Sequence, residues 1–189
     1  MSNLTPILFA RANSIYKQLP GTDVWDADRN ALNCDNTEPG VYHPPCRAWG
    51  AFAMFANPRP GERELAIWSV WKIRKYGGVL EHPAASKLWP EMGLPRPGQR
   101  DEYGGFTVGI HQSWFGHKAE KKTLLYIVGI EPRDLPDMPM DLSYPTHVIG
   151  DVGRASNGTK RPEISKAERE HTPLALAEWL VALARKCRA

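Results

Sequence analysis

The sequence predicts an α/β domain: a largely parallel sheet with helices on both faces. Three observations carry this expectation. Short apolar runs alternate with amphipathic helical segments, the pattern of strands laid side by side and covered by crossover helices. One apolar run after another ends in a reactive or rigid motif, as expected where strands deliver side chains to one end of a sheet. The last two runs, 106–110 and 124–129, flank a polar, basic stretch and should pair at one edge.

The elements follow in order. Residues 7–10 read as a short buried strand, and 14–19 as a helical segment stopped by Pro20-Gly21. Residues 22–25 form a second strand candidate, ending in the acidic Asp26 and Asp28. Residues 40–43 form a third, ending at Pro44-Pro45. The best helix of the first half spans 61–76, with Leu65, Trp68, Val70, Trp71 and Ile73 as its apolar stripe and Gly77-Gly78 as its stop. Val79-Leu80 enters a buried strand that ends in Glu81-His82-Pro83. Residues 84–105 are mostly loop, with a helical turn at 85–89, and 131–165 form an irregular Pro- and Gly-rich segment. A helix over 172–187 closes the domain. Thr172 is its expected N-cap, Pro173 its first position, and Leu176, Trp179, Leu180 and Leu183 its apolar face.

Composition bounds the class. The 189 residues fit one domain spanning 1–189, and a 42% hydrophobic content allows a proper core. No apolar run approaches the roughly 18 residues of a membrane span. The first ten residues lack a basic region followed by a long apolar stretch, so the expected location is cytoplasmic. Cys34, Cys46 and Cys187 are sparse and show no CxxC spacing, which points to free thiols. The net charge of +3 permits an anionic partner without demanding one. The seven tryptophans serve either a core or base stacking.

Three places carry chemistry. In His43-Pro44-Pro45-Cys46-Arg47, two prolines stiffen a loop just past a strand, a setting that holds a nucleophile still, and Arg47 would favour the thiolate. The plainer alternative is a rigid turn with a packed cysteine. Glu81 at a strand end, beside His82, can have a raised pKa and hand over a proton, or it can cap a helix or pair with an arginine. Lys118, Lys121 and Lys122 can hold a phosphate or a base carbonyl, or form an ordinary solvated loop. A metal site from Cys34, His43, Cys46 and His82 is allowed by His-x-x-Cys spacing, but no closed four-ligand pattern is visible.

Taken in order, these motifs resemble the DNA cytosine-C5 methyltransferases. Leu8-Phe9-Ala10-Arg11-Ala12-Asn13 is similar to that family's first strand and S-adenosylmethionine turn, and Asp26 or Asp28 to the acid for the cofactor ribose. Pro45-Cys46 matches the nucleophile loop, and Glu81-His82-Pro83 the strand end whose glutamate holds the cytosine ring. Residues 118–123 resemble the later basic segment, and Arg169-Glu170-His171-Thr172-Pro173 the start of the last helix. The chain looks closest to short methyltransferase-like proteins of bacteriophages and prophages. The resemblance implies a reduced, Rossmann-like methyltransferase fold with Cys46, Glu81, Lys121 and Lys122 as catalytic residues. It further implies Phe9, Arg11, Asp26 and Asp28 as contacts to S-adenosylmethionine, and DNA or another nucleic acid as partner. Arg47, Arg59, Arg63 and Lys118 are the expected nucleic-acid contacts, giving salt-sensitive affinity. In such a mechanism a thiolate adds at C6 of a flipped-out cytosine, so that C5 becomes nucleophilic.

The chain departs from the family pattern in three ways. Arg11-Ala12-Asn13 replaces the glycines that let a cofactor approach the backbone. The stretch between Asp28 and Pro44 is too short for a helix plus a strand, so the strand beside the adenine pocket should be missing. The region of the family's DNA-reading domain is reduced to 131–168, so specificity is absent or comes from a protein partner. Two readings follow: an enzyme that modifies a pyrimidine, or an inactive relative that binds nucleic acid or a protein in an accessory or anti-restriction role.

Overall fold

The computed structural model describes residues 4–50, 53–150 and 161–188. Among the described residues six strands form one sheet: β1 (Thr5–Leu8), β2 (Thr22–Trp25), β3 (Gly40–Tyr42), β4 (Gly78–Pro83), β5 (Phe106–His111) and β6 (Lys122–Val128). Their order is β2-β1-β3-β4-β6-β5. The pairs β1–β2, β1–β3 and β3–β4 are parallel, whereas β6 runs antiparallel to both β4 and β5. The sheet is therefore mixed: five strands run in one direction and β6 alone runs in the other. The strand pair expected at an edge is there, with the later strand on the inside. No described strand lies beyond β2, in keeping with the short stretch that follows Asp28.

Helices cover both faces. α1 (Glu62–Tyr76) and α4 (Leu174–Lys186) are the long ones, and α2 (Leu88–Glu91) and α3 (Lys166–Arg169) are single turns. Strand alternation sorts the core into two layers. Ile7, Val41, Val79, Leu125 and Ile127 pack with Leu176, Leu180 and Leu183 of α4. Leu8, Tyr42, Leu80 and Tyr126 pack with Ala66, Val70 and Ile73 of α1.

Several boundaries differ from expectation. α4 starts at Leu174, and Pro173, not Thr172, is its cap residue. The segment 14–19 is a 3-10 turn over Ile15–Gln18, capped by the Ser14 side chain. The buried face of α1 is Ala66, Ser69, Val70 and Ile73, and Trp71 is half exposed. Small residues on that face let the helix approach the sheet, so the bulky Trp71 is turned outward. The acidic first turn and basic last turn of α1 complement its dipole.

Candidate functional site at the carboxyl ends of the parallel strands

The chain leaves β1 for β2 on one side and returns to β3 on the other. The gap between β1 and β3 is thus the topological switch point, where open α/β sheets place their ligands. Phe9 follows β1 there, and the His43–Cys46 loop follows β3.

His43 and Glu81 lie two residues beyond Val41 and Val79, so both side chains fall on the α4 face. The His43 amide still donates to Leu8 O at 3.0 Å, which holds the residue in strand geometry. His43 Nδ1 is 3.0 Å from Glu81 Oε2, and His43 Nε2 is 2.9 Å from the Tyr16 hydroxyl. Gln112 Nε2 donates to Glu81 Oε1 at 3.0 Å and to Thr123 Oγ1 at 3.1 Å. Burial works against the Glu81 charge, but the His43 hydrogen bond, Lys121, and the His43 and His82 rings outweigh it and hold the carboxyl at about 2. This corrects the expected proton donor: Glu81 is a fixed carboxylate. Tyr16 is buried, and burial, reinforced by Glu81, pushes its phenol well above the ordinary value. The chain Tyr16 O–H to His43 Nε2, then His43 Nδ1–H to Glu81, satisfies every group in it.

Cys46 sits at the rim. The residue is exposed, yet its sulfur is crowded by protein atoms. That burial, followed by the nearby Glu81 charge, raises the thiol pKa, while Lys121 opposes the rise. Arg47 lies within electrostatic reach of the thiol, but its guanidinium is committed elsewhere. It grips the buried Glu62 at the start of α1 with Nε at 3.1 Å from both carboxylate oxygens, and it anchors the loop. The Cys46 carbonyl accepts from the amides of Trp49 and Gly50, both at 3.0 Å, which closes the turn. Beneath the loop, buried His82 bonds Ser86 Oγ at 2.7 Å. Burial lowers its pKa to about 4 against the opposing effects of Glu81 and the Pro45 and Pro44 carbonyls.

The fold therefore brings Cys46, Glu81 and Lys121 within electrostatic reach of one another. Lys122 is not part of the cluster: its exposed ammonium faces Glu120 at 3.8 Å. Glu170, just past α3, also acts on Cys46 and pairs with Arg11 at 3.0 Å. Sequence reasoning missed Tyr16, Gln112, Thr123 and Glu170 as partners of the site. The two-residue step from Val41 to His43, parallel to that from Val79 to Glu81, was the available signal.

The residues expected to hold S-adenosylmethionine do not fit it. The Asp26 carboxylate accepts from Lys17 Nζ at 2.7 Å and from the amides of Asp28 and Arg29 at 3.1 and 3.2 Å. Arg11 is paired with Glu170, and Asp28 is exposed. Phe9 adopts φ of 61°, in the region the family's glycines favour, but its ring packs edge-on against Trp68 at 5.9 Å. A side chain thus stands in the turn where the cofactor would approach.

The expected nucleic-acid contacts are mostly neutralised. Arg47 pairs with Glu62, Arg63 with Glu91 and Lys118 with Glu168. Arg59 is exposed and lies within electrostatic reach of Glu62. The four residues of the considered metal site are not gathered, and among the described residues no three His, Cys, Asp or Glu side chains form a metal-binding group. No described helix is long and apolar enough to cross a membrane. No family model matches the sequence.

Proposed function

We propose that the chain is a cytosine-C5 methyltransferase-like protein of reduced Rossmann-like fold that engages a pyrimidine of DNA, or of another nucleic acid, by thiol addition. One observation carries this reading: the thiol of Cys46, an exposed residue, shares a strand-end cluster with a fixed carboxylate, Glu81, and a cation, Lys121. The step these groups support is the addition itself. The thiol S–H adds across C5=C6, forming the S–C6 bond, with C5 taking a proton from water, and elimination reverses it. Glu81 accepts a hydrogen bond from the exocyclic amine of the ring, and Lys121 meets the ring carbonyl. No methyl donor enters this step, because Phe9, Arg11 and Asp26, expected to bind S-adenosylmethionine, are otherwise engaged.

The test is exchange of the C5 hydrogen of cytosine in DNA with solvent deuterium, read by mass, joined to covalent trapping on DNA carrying 5-fluorocytosine with S-adenosylmethionine present. Exchange lost in Cys46→Ser supports the reading, and a trapped adduct that carries an added methyl group restores the donor. The absence of exchange over several DNA sequences would sink it. A second reading, an inactive relative that binds nucleic acid or a protein partner, is favoured by one observation: Lys17 and two backbone amides close off Asp26.

A further inference from the structure

A groove of about 610 Å³ opens at the opposite end of the sheet, where β4 begins and β6 ends. Its volume falls in the range of small-molecule sites. Five cationic side chains line it, those of Arg74, Lys75, Arg100, Lys186 and Arg188, against two acids, Glu131 and Asp134. Arg74 is braced by Asp101 at 3.6 Å, and Arg100 by Glu131. Lys75, Lys186 and Arg188 have no ion-pair partner among the described residues. Lys186 Nζ donates only to the Asp134 carbonyl, at 3.1 Å, and Arg188 Nη1 only to the carbonyls of Arg185 and Cys187. This end therefore concentrates positive charge in a chain whose net charge is only +3.

An aromatic wall stands beside the cations. Tyr103 is 37% exposed and meets the half-exposed Trp71 edge-on at 6.2 Å. The Arg74 guanidinium lies 4.4 Å from the Tyr103 ring centroid and 5.0 Å from that of Trp71, which holds both rings in place. Three cations without an acidic partner among the described residues, Lys75 resting on the Tyr76 ring at 5.0 Å from its centroid, stand next to a braced, exposed ring and match a ligand that joins phosphate to a flat heterocycle.

We propose that this groove binds nucleotides, with the phosphates on Lys75, Lys186 and Arg188 and the base against Tyr103. The nucleotide is either free or a unit of a single strand. The site is separate from the Cys46 cluster and stands whether or not that cluster is reactive.

Titration calorimetry of the whole chain at about 50 mM salt tests it with three probes: a nucleoside triphosphate, a short oligothymidylate and inorganic tripolyphosphate. The expected result is binding of the triphosphate, the oligonucleotide or both, each more tightly than tripolyphosphate. The double charge reversal Lys75→Glu with Lys186→Glu changes only exposed side chains and should weaken binding roughly tenfold or more. Tyr103→Ala should reduce nucleotide affinity to that of tripolyphosphate. Preference for one of the two nucleotide probes identifies the source. No binding by either, equal affinity for tripolyphosphate, or indifference to the charge reversal with an unchanged melting curve would overturn the proposal.

Discussion

His43 Nδ1 stands 3.0 Å from Glu81 Oε2, each side chain at the carboxyl end of one of two adjacent parallel strands. With Gln112 on the other oxygen, Glu81 is a carboxylate at every physiological pH, and the charge beside Cys46 is permanent. The reactivity of the thiol is then set by burial and Glu81 on one side of the balance and Lys121 on the other.

That balance predicts thiol labelling. Cys46 is exposed while Cys34 and Cys187 are buried, so iodoacetamide should modify Cys46 first in the native protein. Its rate should still be climbing at pH 9, because the thiol pKa is raised. Glu81→Gln should speed labelling at pH 8 by about three- to tenfold, and Lys121→Met should slow it. Peptide mass mapping against time checks all three.

Acid should destabilise the fold in two windows. His82 stays neutral when folded down to about 4, whereas an unfolded histidine takes its proton near 6.5. Below pH 6.5 the unfolded state binds more protons, so stability falls as pH falls and the loss is complete near pH 4, by about 3 kcal/mol. Glu81 acts lower: its contribution is present above about 4.5 and is lost as pH falls toward 2. Urea unfolding between pH 7 and 4 should show the first window, and His82→Asn should flatten it.

Arg47 separates a structural role from nucleic-acid contact. Arg47→Ala leaves the buried Glu62 without its partner and should cost about 1–2 kcal/mol, a figure reduced because the arginine is half exposed. Arg59→Ala should be nearly neutral. Denaturant midpoints for Arg47→Ala, Glu62→Gln and the two combined measure the coupling, and that of Arg59→Ala checks the contrast.

The register of β3 and β4 depends on a close backbone approach at Gly78. A Cβ built there would lie 2.4 Å from Gly40 O, and φ is 120°. Gly78→Ala should therefore cost about 3 kcal/mol or more, visible as a large drop in melting temperature.

Periodicity made much of the fold legible. Leu176, Trp179, Leu180 and Leu183 are all buried on α4, as their spacing requires. The stripe on α1 was misread at Trp71 because bulk was counted where small residues, Ala66 and Ser69, make the contact. The antiparallel insertion of β6 between β4 and β5 was not legible, since apolar runs do not encode strand direction. That Cys46, Glu81 and Lys121 come together was foreseeable from their strand-end positions, but the partners of Glu81 were not. His43 meets Glu81 from 38 positions away and Tyr16 from 27. The basic residues looked free because their acids are remote: Glu62 lies 15 positions from Arg47 and Glu168 lies 50 from Lys118.

The central claim is that Cys46 adds reversibly to a pyrimidine ring, and exchange of the C5 hydrogen tests it most directly. Addition at C6 makes C5 exchange with water whether or not a methyl donor is present. An oligonucleotide carrying 5-tritiated cytosine should release tritium in the presence of the protein. Release should vanish with Cys46→Ser and fall by about ten- to a hundredfold with Glu81→Gln. No release above the protein-free rate, or release that survives Cys46→Ser, would contradict the account.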